Sequence, residues 1–125
     1  LKHNGIVNLK QTDKYSPYDL KIKINKQNIY IELKTRTISK EQYDTTILAV
    51  NKIDFFINDV KKKNKKFYAI FGFFTNINEM EYYYIKYDAK LFNNFSKQVI
   101  FNKQHYNIPI EYLKTIEDFY YELDV

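Results

Sequence analysis

No cysteine occurs among the 125 residues, so neither a disulfide framework nor a thiolate metal site is open to this chain. His3 and His105 are the only histidines, too few for a His-rich zinc site. No stretch of roughly 18 apolar residues occurs, which leaves no candidate transmembrane helix, and no secretory signal is visible. Glycine and proline appear twice each, so the turns fall to Asn, Asp and Lys. Tryptophan is absent, whereas there are 13 Tyr and 10 Phe. These large aromatics can fill a core of this size, and the tyrosine hydroxyls need partners or water.

Hydrophobic residues make up 45% and charged residues 28%, the balance of a globular chain rather than a disordered one. The length suits one domain spanning 1–125 with one core. No repeat or low-complexity linker divides it. The net charge is +5 and the pI near 9.2, which favours a polyanionic partner such as nucleic acid. Lys greatly outnumbers Arg, and Asn, Ile and Tyr are frequent; that pattern resembles an AT-rich coding bias, which is a reading of part of the charge that needs no function. Leu1-Lys2-His3-Asn4-Gly5 reads as the last turn of a helix with Gly5 as C-cap. The expectation is that the natural N-terminus lies upstream of Leu1.

Periodicity orders the elements. Ile6 to Leu9 suits a short strand, and Gln11 to Tyr18, with Pro17, a loop. Asp19 to Ile24 alternates strictly, as does Ile29 to Arg36, which predicts a hairpin across a turn at Asn25 to Asn28. Ser39-Lys40-Glu41-Gln42 has the form of a capping box. Tyr43, Ile47, Val50, Ile53, Ile57 and Val60 then recur at helical spacing, predicting one long helix to the Lys61–Lys66 run. Phe67 to Phe74 is nearly all apolar, as a strand covered on both faces requires. A turn over Thr75 to Glu79, a strand over Glu81 to Tyr87, a short helix over Lys90 to Phe95 and a short strand over Gln98 to Phe101 follow. Ile108-Pro109 opens a predicted closing helix through Leu123. The expected fold class is α/β, with a central mixed sheet flanked by helices.

The predicted hairpin carries the chemistry. With the turn centred on Lys26-Gln27, Ile24 pairs with Ile29, Lys21 faces Glu32 and Asp19 faces Lys34. Residues 19, 21, 32 and 34 then share one face. Cross-strand neighbours lie about 5 Å apart and diagonal ones about 7–8 Å, so Asp19 and Glu32 can converge on one divalent cation beside Lys34. Two carboxylates are hard oxygen ligands of the kind Mg²⁺ or Mn²⁺ prefers. Such a cation polarises a scissile phosphate and lowers the pKa of bound water. The Lys34 ammonium can position that water or stabilise developing negative charge.

Pro17-Tyr18-Asp19, twelve residues, then Glu32-Leu33-Lys34 resembles the signature of the PD-(D/E)XK nuclease superfamily. The apolar Ile29-Tyr30-Ile31 before Glu32, the helix after it and the apolar strand 67–74 match that superfamily's order of elements. The resemblance runs over roughly residues 5 to 88. It implies a restriction-endonuclease-like core, a four-stranded mixed sheet flanked by helices. It implies Asp19 and Glu32 as metal ligands, the Leu33 carbonyl as a further ligand and Lys34 as the catalytic lysine. Tyr18 departs from the proline expected directly before the aspartate. Many members also take an acidic residue from an N-terminal helix, where this chain offers only Asp13 on a loop. Either that helix lies upstream or the site has fewer acids, which leaves the metal count open.

Each other candidate has two readings. Glu32 and Lys34 themselves suit the solvated face of an ordinary strand. Arg36, on the same face as Lys34, suits a phosphate contact or a plain surface. Gln42 suits an active-site role, or only its capping box. Lys52 flanks the helix's apolar face, where related nucleases sometimes place a functional polar residue and where a snorkelling Lys is also at home. Lys61 and Lys62 suit phosphate contacts or the helix macrodipole. Tyr82-Tyr83-Tyr84 suits base stacking or packing, and His105 has no partner motif. Together these predict a Mg²⁺- or Mn²⁺-dependent endonuclease acting on DNA. The alternative is a nucleic-acid-binding module on the same fold with a degenerate site, and a third possibility is a structural protein without nucleic-acid contact. The small size suits a phage or mobile-element enzyme in the cytoplasm of a bacterial or phage-infected host cell, with a homodimer as one expected assembly and no membrane association.

Overall fold

A computed structural model of the chain describes residues 6–11, 19–59, 63–75 and 79–123. Strands β1 (Ile6–Gln11), β2 (Leu20–Ile24) and β3 (Gln27–Arg36) form an antiparallel meander. The chain then crosses over through a 3-10 turn at Lys40–Gln42, strand β4 (Thr45–Ala49) and helix α1 (Val50–Asn58). It re-enters the sheet as β5 (Lys65–Phe74), parallel to β3, and returns antiparallel as β6 (Met80–Lys86). The helix α2 (Ala89–Phe92) leads to a second hairpin, β7 (Lys97–Ile100) and β8 (Lys103–Pro109). After a 3-10 turn at Ile110–Tyr112 come the two-residue β9 (Lys114–Thr115), another 3-10 turn at Ile116–Asp118, and α3 (Phe119–Glu122). The mixed sheet runs β1-β2-β3-β5-β6-β9, and a smaller antiparallel sheet runs β4-β8-β7.

Both faces of the mixed sheet are covered around β3 and β5. On one face Tyr30, Phe67, Ala69, Phe71 and Phe73 pack with Ile53 and Phe56 of α1 and with Leu48, Tyr106 and Ile108 of the small sheet. On the other, Ile29, Ile31, Tyr68 and Tyr84 pack with Phe119 of α3. The continuous apolar run at 67–74 is therefore the doubly buried strand that its composition predicts. Gly72 lies under Tyr82 of β6: a Cβ there would come within 2.8 Å of the Tyr82 ring and of the Met80 methyl.

Three expectations need correction. The hairpin register differs by two residues. Asn25 and Lys26 alone form the turn, with left-handed φ of 49° and 67°, and Ile24 pairs with Gln27 and Lys21 with Tyr30. That is the tight two-residue connection whose twist suits paired strands. The helix expected from Ser39 to the lysine run is instead a 3-10 turn, a strand and the nine-residue α1. Ser39 caps nothing through its side chain. The β-branched Thr45-Thr46-Ile47 suits a pleated strand, and β8 supplies its partner, Thr46 against Ile108 and Leu48 against Tyr106. The closing helix is likewise absent: Tyr106 and Ile108 alternate into the core from β8, which Pro109 ends. Among the described residues the sheet is therefore flanked by one substantial helix, α1, by a second sheet and by the short α3, rather than by helices alone.

Helix α1 ends at an ammonium. Lys65 at the start of β5 donates to the carbonyl oxygens of Phe56, of Ile57 (3.4 Å) and of Asp59 (2.7 Å), groups a helix C-terminus leaves unpaired. Lys65 faces Asn28 across the sheet, so α1 runs from the C-terminal half of β3 back towards its start. No described helix is long and apolar enough to cross a membrane. The residues expected to form the Gly5 C-cap and the loop with Pro17 and Asp13, together with Lys61 and Lys62, lie outside the described residues.

Candidate active site

The site is built where β3 outruns β2. The paired register ends at Leu20 against Ile31, and β3 continues five residues further, through Glu32 to Arg36. Asp19, directly before β2, is held there twice: its backbone N–H donates to the Ile31 carbonyl (2.9 Å), and its Oδ2 accepts the Leu33 N–H (2.8 Å). The Asp19 carboxylate therefore rests against the peptide joining Glu32 to Leu33. A strand residue aims its N–H and C=O at the same neighbour. The Leu33 carbonyl thus points to the β2 side as well, into the space past the end of that strand.

Even-numbered residues of β3 face α1, with Tyr30 in the core beneath it and its hydroxyl donating to Asp59 Oδ2 (3.2 Å). One pleat further on, Glu32 points the same way and is only 1% exposed. Its Oε2 meets two ammonium groups, Lys34 Nζ at 3.1 Å and Lys52 Nζ at 3.5 Å. Its Oε1 is fully buried and has no hydrogen-bond partner. A buried carboxylate oxygen left unpaired is costly and is the feature of this region that ordinary packing does not explain. Lys34 and Lys52 keep 38% and 22% of their side-chain surface exposed, so each spans from the buried carboxylate to solvent.

The hairpin thus brings Asp19, Glu32, Leu33 and Lys34 together, and the two-residue register change leaves faces unaltered because the strand period is two. Lys52 joins them from α1. Its signal in the sequence is its place directly before Ile53, a fully buried residue of that helix, yet a snorkelling lysine has the same signature. Arg36 is occupied elsewhere. Its Nε donates to Thr46 Oγ1 (3.3 Å) and its Nη2 to the Ile47 carbonyl (2.8 Å), and the guanidinium lies 5.6 Å from the Phe71 ring centroid. It ties β3 to β4, and burial lowers its pKa from the ordinary arginine value. It also lines a cleft of about 280 Å³ with Lys40, Tyr43, Thr45 and Gln98. Gln42 is exposed in the 3-10 turn, where its backbone N–H bonds Ser39 O (3.2 Å); no helix carries it towards Glu32. Tyr84 is core, while Tyr82 is part-exposed. The His105 Nδ1 lies 3.0 Å from the Lys103 carbonyl.

The donors at this site are all oxygen: the Asp19 and Glu32 carboxylates and the Leu33 carbonyl. No cluster of three or more His, Cys, Asp or Glu suited to a metal occurs among the described residues. Such a set does not suit zinc, which favours four nitrogen and sulfur ligands. It suits Mg²⁺ or Mn²⁺, which take one or two carboxylates and complete their shell with water and phosphate oxygens. The orphaned Glu32 Oε1 is the atom such an ion would satisfy.

No protein-family model matches the sequence, and no curated protein does. The chain is similar to the structure of D212, a nuclease from a fusselovirus, with a TM-score of 0.48 and 18% identity over 93% of this chain and 74% of that one. A likeness at that level assigns neither fold nor function.

Proposed function

We propose that this chain is a metal-dependent nuclease of the PD-(D/E)XK type, hydrolysing phosphodiester bonds in DNA at Asp19, Glu32 and Lys34. The observation that carries the reading is the buried Glu32 carboxylate, with one oxygen on two lysines and the other on nothing. A structural ion pair would gain from using both oxygens, whereas a ligand oxygen must be left open for its ion. The antiparallel β1-β2-β3 meander, the crossover through α1 and the parallel return in β5 support a restriction-endonuclease-like core.

Asp19, Glu32 and the Leu33 carbonyl would hold Mg²⁺ or Mn²⁺, which when bound polarises the scissile phosphate and acidifies water. Lys34 Nζ, beside Glu32 and open to solvent on its other side, offers donors to the attacking water and to the phosphate oxygens. Lys52 neutralises part of the carboxylate charge and adds a second ammonium facing an incoming phosphate. Burial fixes Glu32, and the Leu33 N–H fixes Asp19, so the ligands need little reorganisation. In the overall hydrolysis, water oxygen bonds to phosphorus, the bridging P–O bond breaks and the leaving oxygen is protonated.

The test is cleavage of supercoiled plasmid, linear duplex, single-stranded DNA, a four-way junction and structured RNA in Mg²⁺ or Mn²⁺. EDTA and a folded Glu32→Ala variant serve as controls. Cutting that needs the metal and Glu32 is the expected result; cutting that survives in the variant refutes the assignment. A second reading, a binding module without turnover, draws on the pairing of Glu32 with two lysines and on the small number of acids. It predicts DNA binding with neither Mn²⁺ binding nor cleavage.

A further inference from the structure

The β7–β8 hairpin turns on Phe101 and Asn102, with left-handed φ of 50° and 64°. The β2–β3 hairpin has the same turn with nearly the same angles, and there Asn25 takes the position of Phe101. That conformation is cheap for asparagine and unfavourable for a bulky aromatic. Phe101 is also 95% exposed, and Val99 beside it is 66% exposed. The chain thus holds a phenylalanine in a strained position where its ring packs on almost nothing. Strained residues of this kind cluster at active sites and ligand clamps.

The surroundings are basic. Residues 89–110 contain Lys90, Lys97 and Lys103 and no Asp or Glu, and all three lysines are exposed. Lys103 and Gln104 line a groove of about 220 Å³ against Val50, Asn51 and Asp54 of α1, with Asp54 its one carboxylate. Lys52, on the same turn of α1, reaches Glu32. Lys52 lies on the opposite side of that turn from Val50 and Asp54, so α1 stands between the hairpin and Glu32.

We propose that the tip of this hairpin is a stacking element for an unpaired nucleic-acid strand. Phe101 lies against a base, Val99 extends the apolar contact, and Lys97 and Lys103 meet the phosphates. The proposal deepens the nuclease reading and rests on it for nucleic acid as the partner. An aromatic ring gives every base a stacking partner without reading sequence, so the preferred substrate is one with exposed bases.

The chain has no tryptophan, so Phe101→Trp places a single tryptophan at the tip, excited selectively on the long-wavelength side of tyrosine absorption. Titration in EDTA with a single-stranded oligonucleotide should quench its emission, and a duplex of equal length should quench it far less. Phe101→Asn should melt no lower than wild type, because the turn strain is relieved. It should bind the single strand about 5- to 160-fold more weakly, the range that base–aromatic stacking covers, with duplex binding little changed. Single-strand affinity in Phe101→Asn equal to wild type overturns the proposal. So does loss of a dimer in that variant without loss of binding, which would make the tip a contact between copies. Because no cleavage is read, the two ideas fail separately. Phe101-dependent binding by a chain that never cuts overturns the nuclease reading alone. Metal-dependent cutting with Phe101-independent binding overturns this proposal alone, and so does the absence of single-strand binding by wild type, since the nuclease reading stands or falls on cleavage.

Discussion

Glu32→Gln preserves the shape of a buried side chain and removes its charge. Without metal, two opposing effects follow. The charge-assisted contacts to Lys34 and Lys52 are lost, at about 1.5–3 kcal/mol for a hydrogen bond to a charged group. Burial of a carboxylate, which costs several kcal/mol, is relieved. Both lysines can turn to solvent, so the variant should fold, with metal-free stability within about 2 kcal/mol of wild type. Metal should separate the two proteins. An ion that binds only the folded chain adds about 1.4 kcal/mol at ten times its Kd and about 2.7 kcal/mol at a hundred times. For 125 residues the unfolding entropy is roughly 0.26 kcal/mol/K, so wild-type Tm should rise by about 5 and 10 °C. Calorimetry across a Mn²⁺ series reads this directly, and Glu32→Gln should show no rise. An equal rise in the variant would put the ion elsewhere. No rise in wild type at about 20 mM Mn²⁺, above the Kd of even weak hard-cation sites, would refute the explanation of the unpaired Oε1.

Lys34→Met should lower kcat by about 10²–10³ while leaving the Mn²⁺-induced rise in Tm, since the ligands remain; single-turnover cleavage and calorimetry together check it. Arg36→Lys should lower stability by about 1–2 kcal/mol in denaturant unfolding, because an ammonium cannot reproduce both links to Thr46 and Ile47. Tyr68→Phe should raise stability by about 1–2 kcal/mol at neutral pH, since it removes a buried hydroxyl without a partner. The same tyrosine predicts a high-pH effect. Burial, then the nearby Glu122 and Tyr84, raise its pKa above the ordinary value near 10. Its ionisation leaves stability unchanged below the unfolded value and lowers it as the pH climbs past that value, at about 1.4 kcal/mol per pH unit. Denaturant melts from pH 9 to 11 should therefore show a shallower decline in Tyr68→Phe.

Strand β5 was legible because a doubly buried strand needs no periodicity, only an apolar run bounded by polar residues. The β2–β3 hairpin was legible from alternation, and an error of two residues in its register moved no side chain to the wrong face. The grouping of Asp19, Glu32 and Lys34 survived for that reason. The crossover was not legible, because Tyr43 and Ile47 fall at helical spacing with Val50 and Ile53 although they belong to a turn and a strand. The strand at Thr45–Ala49 exists because Tyr106 and Ile108 pair with it, and no local window contains both partners. Arg36 and Lys52 had equivocal local signals for the same reason. One is spent on Thr46 and the other drawn to Glu32 by contacts that only the folded crossover makes.

The unequal lengths of β2 and β3 set a limit on how far this protein can be toughened. Five residues of β3 run on beyond the β2 register, and a protein engineer would be tempted to extend β2 alongside them. Every added ladder bond would strengthen the sheet and claim a backbone group that now faces the Asp19 side. The Leu33 carbonyl would be among the first taken, and Asp19 would lose its hold on the Leu33 N–H. Variants selected for thermal endurance alone should drift towards a longer β2, and the same drift should silence the site.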